Sequence, residues 1–307
     1  MELSLFSVSY AGLWGQHRLG LEDFVAKAAE LGYSSVMLMG KRPHLSPLDT
    51  ADETLNSLRQ CLARNQIKCG AVAGYTDFSP QAAAEVPFAE MQFDYVARLC
   101  RFAAELDAPV VRVFTAYENP QTAPAAAWNL VVTCLRECAD RAVDFGVTLA
   151  VQNHHDLALH TDSLLELLAD VDRANLKIGF DAWSPALRGE ALYEAAKQMA
   201  PHTAITTNAD YVRLPRYRYR SELVNYERLL PDMVRAVPFG EGFIDYEAFF
   251  AGLVNGGFDG LCNYEMCSPV RGGGRLENLD GYARGYWQWM QRVLSRAQLP
   301  KTGRQEG

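Results

Sequence analysis

Short apolar runs alternate with amphipathic ones along the whole chain. The apolar runs occupy 3–9, 35–39, 68–73, 110–115, 148–153, 177–181, 204–208 and 260–265, the length of buried strands. Between them lie helix-like stretches. In EDFVAKAAELGY, Phe24, Val25, Ala28, Ala29 and Leu31 share one face, and Gly32 stands where a helix C-cap belongs. FDYVARLCRFAAELDAP stops at Pro109, AAWNLVVTCLRECADRAVDFG ends at Gly146, and YEAFFAGLVNGGFDG closes on glycines. The recurring order is helix, Gly or Pro, apolar strand, polar loop. Eight such units in 307 residues predict an α/β protein, a single-domain (β/α)8 TIM barrel over 1–298 with a loose polar tail at 299–307. A doubly wound open sheet would carry a Gly-rich phosphate turn after its first strand. The turn here, SYAGLWGQHRLG, lacks GxGxxG spacing.

One segment breaks the rhythm. Residues 211–244, rich in Tyr, Arg and Leu, form a long insertion between strands seven and eight. Its aromatic and basic content predicts packing on the site mouth or on another subunit, as a homo-oligomer or a hetero-oligomer.

Composition narrows the function classes. A net charge of −8 excludes an extended nucleic-acid surface, and the one basic run, RYRYR at 216–220, is short. No apolar run approaches bilayer-spanning length, and the N-terminus lacks the pattern of a signal peptide. Seven scattered cysteines without a CxxC pair read as reduced, mostly buried thiols. The expected location is cytoplasmic, with no membrane and no nucleic acid as partner.

In a barrel of this kind, the carboxyl ends of strands carry chemistry. Strand two leads to His44, strand four gives Arg112 and Thr115, and strand six gives Asp181, followed by Trp183. Strand seven gives Thr207, with Asn208 and Asp210 on the other face or in the loop, and strand eight gives Glu265. Strand five ends in VQNHHD, where Gln152 and His154 share a face. Alone, each of these polar groups has an ordinary structural explanation. Together they place two carboxylates, an amide oxygen and an imidazole on one rim. Such a set suits a divalent metal, Mn2+ or Mg2+ first, with Zn2+ or Co2+ as alternatives.

The stretches AVQNHHD, IGFDAWSP and PFGEGFIDYEAFFAGLVNGGFDGLCNYEM resemble the xylose isomerase-like barrels, the sugar isomerase/epimerase group. The resemblance covers most of the chain. It implies one divalent metal bound through strands five to eight, polarising a carbonyl and an adjacent hydroxyl while a carboxylate or imidazole takes a proton from carbon. Carried onto this chain, the metal positions are Gln152, Asp181, Thr207 and Glu265. Asp181 and Glu265 match; Gln152 replaces a Glu and Thr207 replaces a His, and AWSP occupies a loop that usually carries a His.

These departures bear on mechanism. Gln152 can offer an oxygen but accepts no proton at neutral pH, which argues against a symmetric two-base epimerisation. The family expectation is a metal-dependent isomerase or epimerase of a sugar or keto-sugar. The single-base alternative is a β-eliminating lyase or hydratase on a keto-glycoside, including C-glycosides. A third reading is a non-catalytic barrel subunit. Catalytic candidates are His154, His155 and Glu265; substrate-binding candidates for a small carbohydrate are His44, Arg112, Trp183 and Asn208. A phosphorylated substrate would call on RGGGR at 271–275, the only Gly-rich candidate for a phosphate nest.

Overall fold

The computed structural model describes residues 1–80 and 85–298; the tail expected at 299–307 lies outside the described residues. The parallel strands are β1 (Glu2–Phe6), β2 (Ser35–Met39), β3 (Lys68–Ala73), β4 (Val110–Val113), β5 (Thr148–Gln152), β6 (Leu176–Phe180) and β7 (Thr203–Asn208). An antiparallel pair follows, β8 (Tyr211–Arg220) and β9 (Asn225–Ala236), and then the last barrel strand, β10 (Leu261–Tyr264). The barrel closes in the order β1-β10-β7-β6-β5-β4-β3-β2. This is the predicted (β/α)8 architecture.

Helices α1 (Leu21–Glu30), α2 (Asp52–Arg64), α3 (Phe88–Glu105), α4 (Pro124–Val143) and α5 (Thr161–Val171) lie between the strands. So do α6 (Trp183–Arg188), α7 (Leu192–Met199) and α8 (Tyr246–Asn255), and α9 (Leu276–Gln298) follows the last strand. Their caps are written in the sequence. Gly32 adopts φ +90° beyond α1, where its N–H reaches Ala29 O and that of Tyr33 reaches Ala28 O, a glycine-dependent helix stop. The Asp245 carboxylate accepts from Ala248 N at 3.0 Å and starts α8.

Side-chain parity divides the strands. Leu3, Leu5, Val36, Leu38, Val72, Val111, Val113, Leu149 and Val151 pack outward into the layer shared with the helices. There they meet Phe24, Val25 and Ala28 of α1, all fully buried; removing an apolar side chain of Phe24's size from water contributes about 2–3 kcal/mol. Phe6, Met37, Met39, Ala71, Ala73, Val110, Ala150, Ile205 and Leu261 form a second cluster inside the barrel. Residues two further along from these therefore point into the mouth.

The insertion is a twisted hairpin. Tyr211 pairs with Ala236 and Arg220 with Asn225. Its base packs on the mouth: the Tyr211 ring lies 4.8 Å from that of Trp183, and Arg213 sits over Phe243 at 4.2 Å. Its outer part leaves Tyr217, Tyr219, Leu223, Val224, Tyr226 and Leu230 exposed. Among the described residues, no helix is long and apolar enough to cross a membrane.

Candidate active site at the barrel mouth

Register assembles the site. Gln152 stands two residues beyond Ala150 and pairs with Gly179; Asp181 is two beyond Gly179. Thr207 is two beyond Ile205 and pairs with Asn263, itself two beyond Leu261. Glu265 continues that line, and its N–H extends the ladder to Asn208 O at 3.0 Å. Gln152, Asp181, Thr207 and Glu265 thus line one half of the mouth. Arg112, paired with Ala73 and Ala150, points in from the other half.

Asp181 is held on all sides. Its Oδ2 accepts from Gln152 Nε2 at 3.1 Å and its Oδ1 from Trp183 N at 2.7 Å. The Asn153 amide brackets its backbone, donating to Asp181 O at 2.9 Å and accepting from Asp181 N at 2.6 Å. Gln152 and Asn153, on opposite faces of the strand, thus fix one aspartate. Glu265 accepts from Cys267 Sγ at 3.3 Å through Oε1, and Cys267 Sγ lies 2.8 Å from Tyr211 OH. The hairpin base, the thiol and the carboxylate are one chain of contacts.

Electrostatics couples the two acids. Burial raises Asp181 to about 6, against the N–H groups of Trp183 and Gln152 and the charge of Arg112, which lower it. Burial and the neighbouring Asp181 charge raise Glu265 to about 7, with Arg112 and Cys267 acting in the opposite sense. The site therefore holds two carboxyls that resist carrying two negative charges together and are eased by a cation.

The histidines behave differently from one another. His154 Nδ1 accepts the His155 N–H at 2.8 Å, so in the neutral ring the proton sits on Nε2. Burial, with His155 and Arg112 nearby, holds His154 down at about 3. With its lone pair on Nδ1 engaged, His154 is a hydrogen-bond donor rather than the base the sequence suggests. His155 is held at about 4, chiefly by burial; it packs at a tilt against Tyr117 with centroids 4.0 Å apart, and its Nδ1 is buried without a partner. Both rings, with Tyr117, Trp183 and Arg188, border a cleft of about 280 Å3 beside the mouth. Among the described residues, neither ring hydrogen-bonds to Asp181 or Glu265.

Two expected substrate-binding residues lie elsewhere. Asn208 faces the helical layer and donates to Thr206 Oγ1, Asn263 O and Tyr286 OH, because it has the opposite parity to Thr207. His44 has both ring nitrogens engaged, with Ser7 Oγ at 3.0 Å and Leu19 O at 3.1 Å, and is a satisfied core histidine. Burial lowers His44 from 6.5 to about 4. Between those values the unfolded chain binds a proton that the fold excludes, so stability falls as pH drops through this window. Denaturant unfolding is expected to show a loss of up to about 3 kcal/mol from this residue, and His44→Gln is expected to flatten that part of the slope. An unchanged slope would refute the assignment.

The RGGGR turn is held by its own backbone contacts. Gly273 N donates to Val270 O, Arg271 N to Ala236 O, and Gly274 O accepts from His17 N at 2.7 Å. Gly274 lies so close to Gly15 O that an added Cβ would stand 2.1 Å away. The glycines seat this turn on the first loop. A larger cleft, about 540 Å3, is lined by Glu2, Lys68, Gly70 and Leu261. It opens at the amino ends of the strands, the face associated with stability rather than catalysis.

Lys41, Tyr75, Asn153, Tyr211 and Cys267 also contribute to the site, although no motif in the sequence marks them. For Lys41 and Tyr75 the signal was there: they stand two residues beyond Met39 and Ala73, which face the interior.

The oxygen donors available to a cation are two carboxylates, an amide and a hydroxyl. Among the described residues, no three His, Cys, Asp or Glu side chains gather as a metal centre. The set still fits a hard divalent cation. One or two carboxylates, completed by water or substrate oxygens, are what Mg2+ commonly takes, and Thr207 Oγ1 is buried with no partner of its own. An all-oxygen set favours Mg2+ or Mn2+ over Zn2+, which more often takes thiolate or imidazole.

Comparison with known proteins agrees with the fold. Solved structures with the same fold include a probable 3-DHS dehydratase from Bacillus anthracis, 17% identical, covering 95% of this chain and 99% of that chain with a TM-score of 0.72. The D-psicose 3-epimerase of Clostridium cellulolyticum H10, solved with D-tagatose, is 16% identical over 96% of this chain and 99% of its own, at 0.74. A xylose isomerase-like barrel protein from Mycobacterium smegmatis, solved in complex with magnesium, is 15% identical over 97% and 98%, at 0.69. No curated protein matches the chain. At these identities the structures establish fold alone, but a family model matches residues 25–292, and the chain belongs to the xylose isomerase-like TIM barrel family.

Proposed function

We propose that this protein removes a proton from the carbon next to the carbonyl of a polyhydroxylated ketone, with Glu265 as the base. The observation that supports this most is the convergence of Gln152, Asp181, Thr207 and Glu265 at four adjacent strand ends, facing Arg112. Asp181, Glu265, the Gln152 amide oxygen and Thr207 Oγ1 would hold Mg2+ or Mn2+. A divalent cation there supplies polarisation of the substrate carbonyl.

The remaining work falls to the chain's own groups. Glu265 Oε2 takes the proton while Cys267 holds Oε1 in place. Gln152 and Trp183 N fix Asp181, so its orientation does not change as charge develops. The Trp183 and Tyr211 rings cover one side and limit the entry of water. His154 Nε2–H is available as a donor to a substrate oxygen.

A second reading is favoured by Gln152. Because that side chain cannot serve as a base, the carbanion has no second carboxylate on its opposite face. Loss of a β-substituent, as water or an alcohol, then competes with return of the proton. Incubating ketoses, keto acids and keto-glycosides in D2O with Mg2+ or Mn2+ tests both readings by mass spectrometry. Isomerisation keeps the skeleton and gains deuterium, whereas elimination releases the leaving group. No deuterium and no elimination across all three classes would contradict the proposal.

A further inference from the structure

The half of the mouth facing the carboxylates is cationic. Arg112 enters it from β4, only 2% exposed. Its guanidinium carbon lies 3.9 Å from the Phe114 centroid, 4.8 Å from that of Tyr75 and 5.7 Å from that of Phe6. Lys41 follows β2, half-buried, with Nζ 3.8 Å from the centroid of the same Tyr75 ring. Two positive charges thus share one aromatic ring.

A buried guanidinium normally meets a carboxylate, because leaving the charge unpaired is costly. Here no carboxylate among the described residues stands within ion-pair distance, and the charges of Asp181 and Glu265 act on it only across the mouth. Among the described residues, no ion pair includes Arg112 or Lys41. Arg112 Nε is buried without an acceptor, and so is the Tyr75 hydroxyl beside it. The aromatic faces and the neighbouring Tyr75 hydroxyl offset part of the cost, but the planar N–H fork keeps its Nε without an acceptor. Such a fork matches a bidentate oxyanion. The protein carries a net charge of −8, so a pair of unpaired cations inside its barrel is a local arrangement and not a reflection of composition.

We propose that Arg112 and Lys41 form a subsite for the carboxylate of the substrate, which makes the substrate a polyhydroxylated keto acid rather than a neutral ketose. This rests on the functional reading above and narrows its substrate class. The polarity of the mouth then orients the molecule: its carboxylate goes to the β2–β4 side, away from Asp181 and Glu265, and its ketone to the β5–β10 side. A phosphate would make similar demands on the fork, but two backbone N–H groups of the Gly-rich turn, Arg271 N and Gly273 N, are already engaged.

Binding is tested with 5-keto-D-gluconate and L-sorbose, which differ in a carboxylate against a hydroxymethyl group. Calorimetry on the full chain, with Mg2+ and separately with EDTA, separates the subsite from chelation of a cation. The keto acid is expected to bind about tenfold or more tighter than L-sorbose in both conditions. Arg112→Leu is expected to erase the preference. Lys41→Met, at a half-exposed position where folding is secure, is expected to reduce it severalfold. No preference in the wild-type chain, a preference unchanged in the variants, or tighter binding of fructose 6-phosphate than of the keto acid would overturn the proposal; so would failure of both probes to bind. A preference found without any deuterium exchange would leave the subsite standing and refute the reaction. Exchange on both probes without a preference would do the reverse.

Discussion

Glu265→Gln is expected to lower deuterium wash-in by roughly 10^3-fold, within the range for loss of a general base, while leaving the fold intact. The substitution preserves shape and an oxygen donor but removes the ability to take a proton. Cys267 can still hydrogen-bond to the amide oxygen, so the contact through Tyr211 to the hairpin survives. Cation binding should weaken by far less than turnover falls. That split distinguishes a base from a group that only holds the metal. If exchange and cation affinity fell together, Glu265 would be a ligand alone and the base would lie elsewhere, with His155 the first candidate. Normal exchange would remove Glu265 from the chemistry.

The largest stability effect is expected from Gly242→Ala. Asp210 receives three backbone N–H groups: Gly240 and Gly242 on Oδ2, at 2.9 and 2.8 Å, and Tyr211 on Oδ1 at 3.0 Å. This clamp anchors the return of the hairpin to the barrel. A Cβ at 242 would stand 1.8 Å from Asp210 Oδ1 and 2.6 Å from Tyr211 N, so the clamp must open. Overpacking combined with a buried carboxylate losing its donors should cost about 4 kcal/mol, read as a lower denaturation midpoint. Displacing Tyr211 should also loosen Cys267 and Glu265. Gly281→Ala is the control. It lies within α9 with nothing inside 4 Å of the added Cβ and should stabilise by about 0.5–1 kcal/mol. Equal effects of the two substitutions would contradict the clamp.

The sequence carries the barrel plainly because its signal is local. Apolar runs of strand length, separated by helices with Gly or Pro stops, are readable without any long-range contact, and Gly32 and Asp181 sit where that reading puts them. The first strand stops at Phe6 rather than at 9 because Ser7 turns to serve Met39 N and the His44 ring. That satisfaction of His44 by two distant groups could not be seen in the chain. The hairpin was legible in principle: RYRYR alternates with period two, the mark of a strand. At the site, alternation along β5 and β7 correctly separates Gln152 from Asn153 and Thr207 from Asn208. What it cannot supply is register between strands. Only register shows that Arg112 faces Ala73 and Ala150 inside the barrel. The capture of His154 Nδ1 by the next residue's N–H depends on a left-handed backbone at His155, φ 65°, which residue types alone do not announce.

The four strand ends are expected to hold one divalent cation. The direct measurement is equilibrium dialysis of the full chain against Mn2+ and Mg2+, read by mass spectrometry, beside Asp181→Ala and Glu265→Ala. About one equivalent of cation in the wild-type chain, lost in both variants, is the predicted result. Undiminished binding in both variants, or no binding to the wild-type chain by either ion, would contradict it.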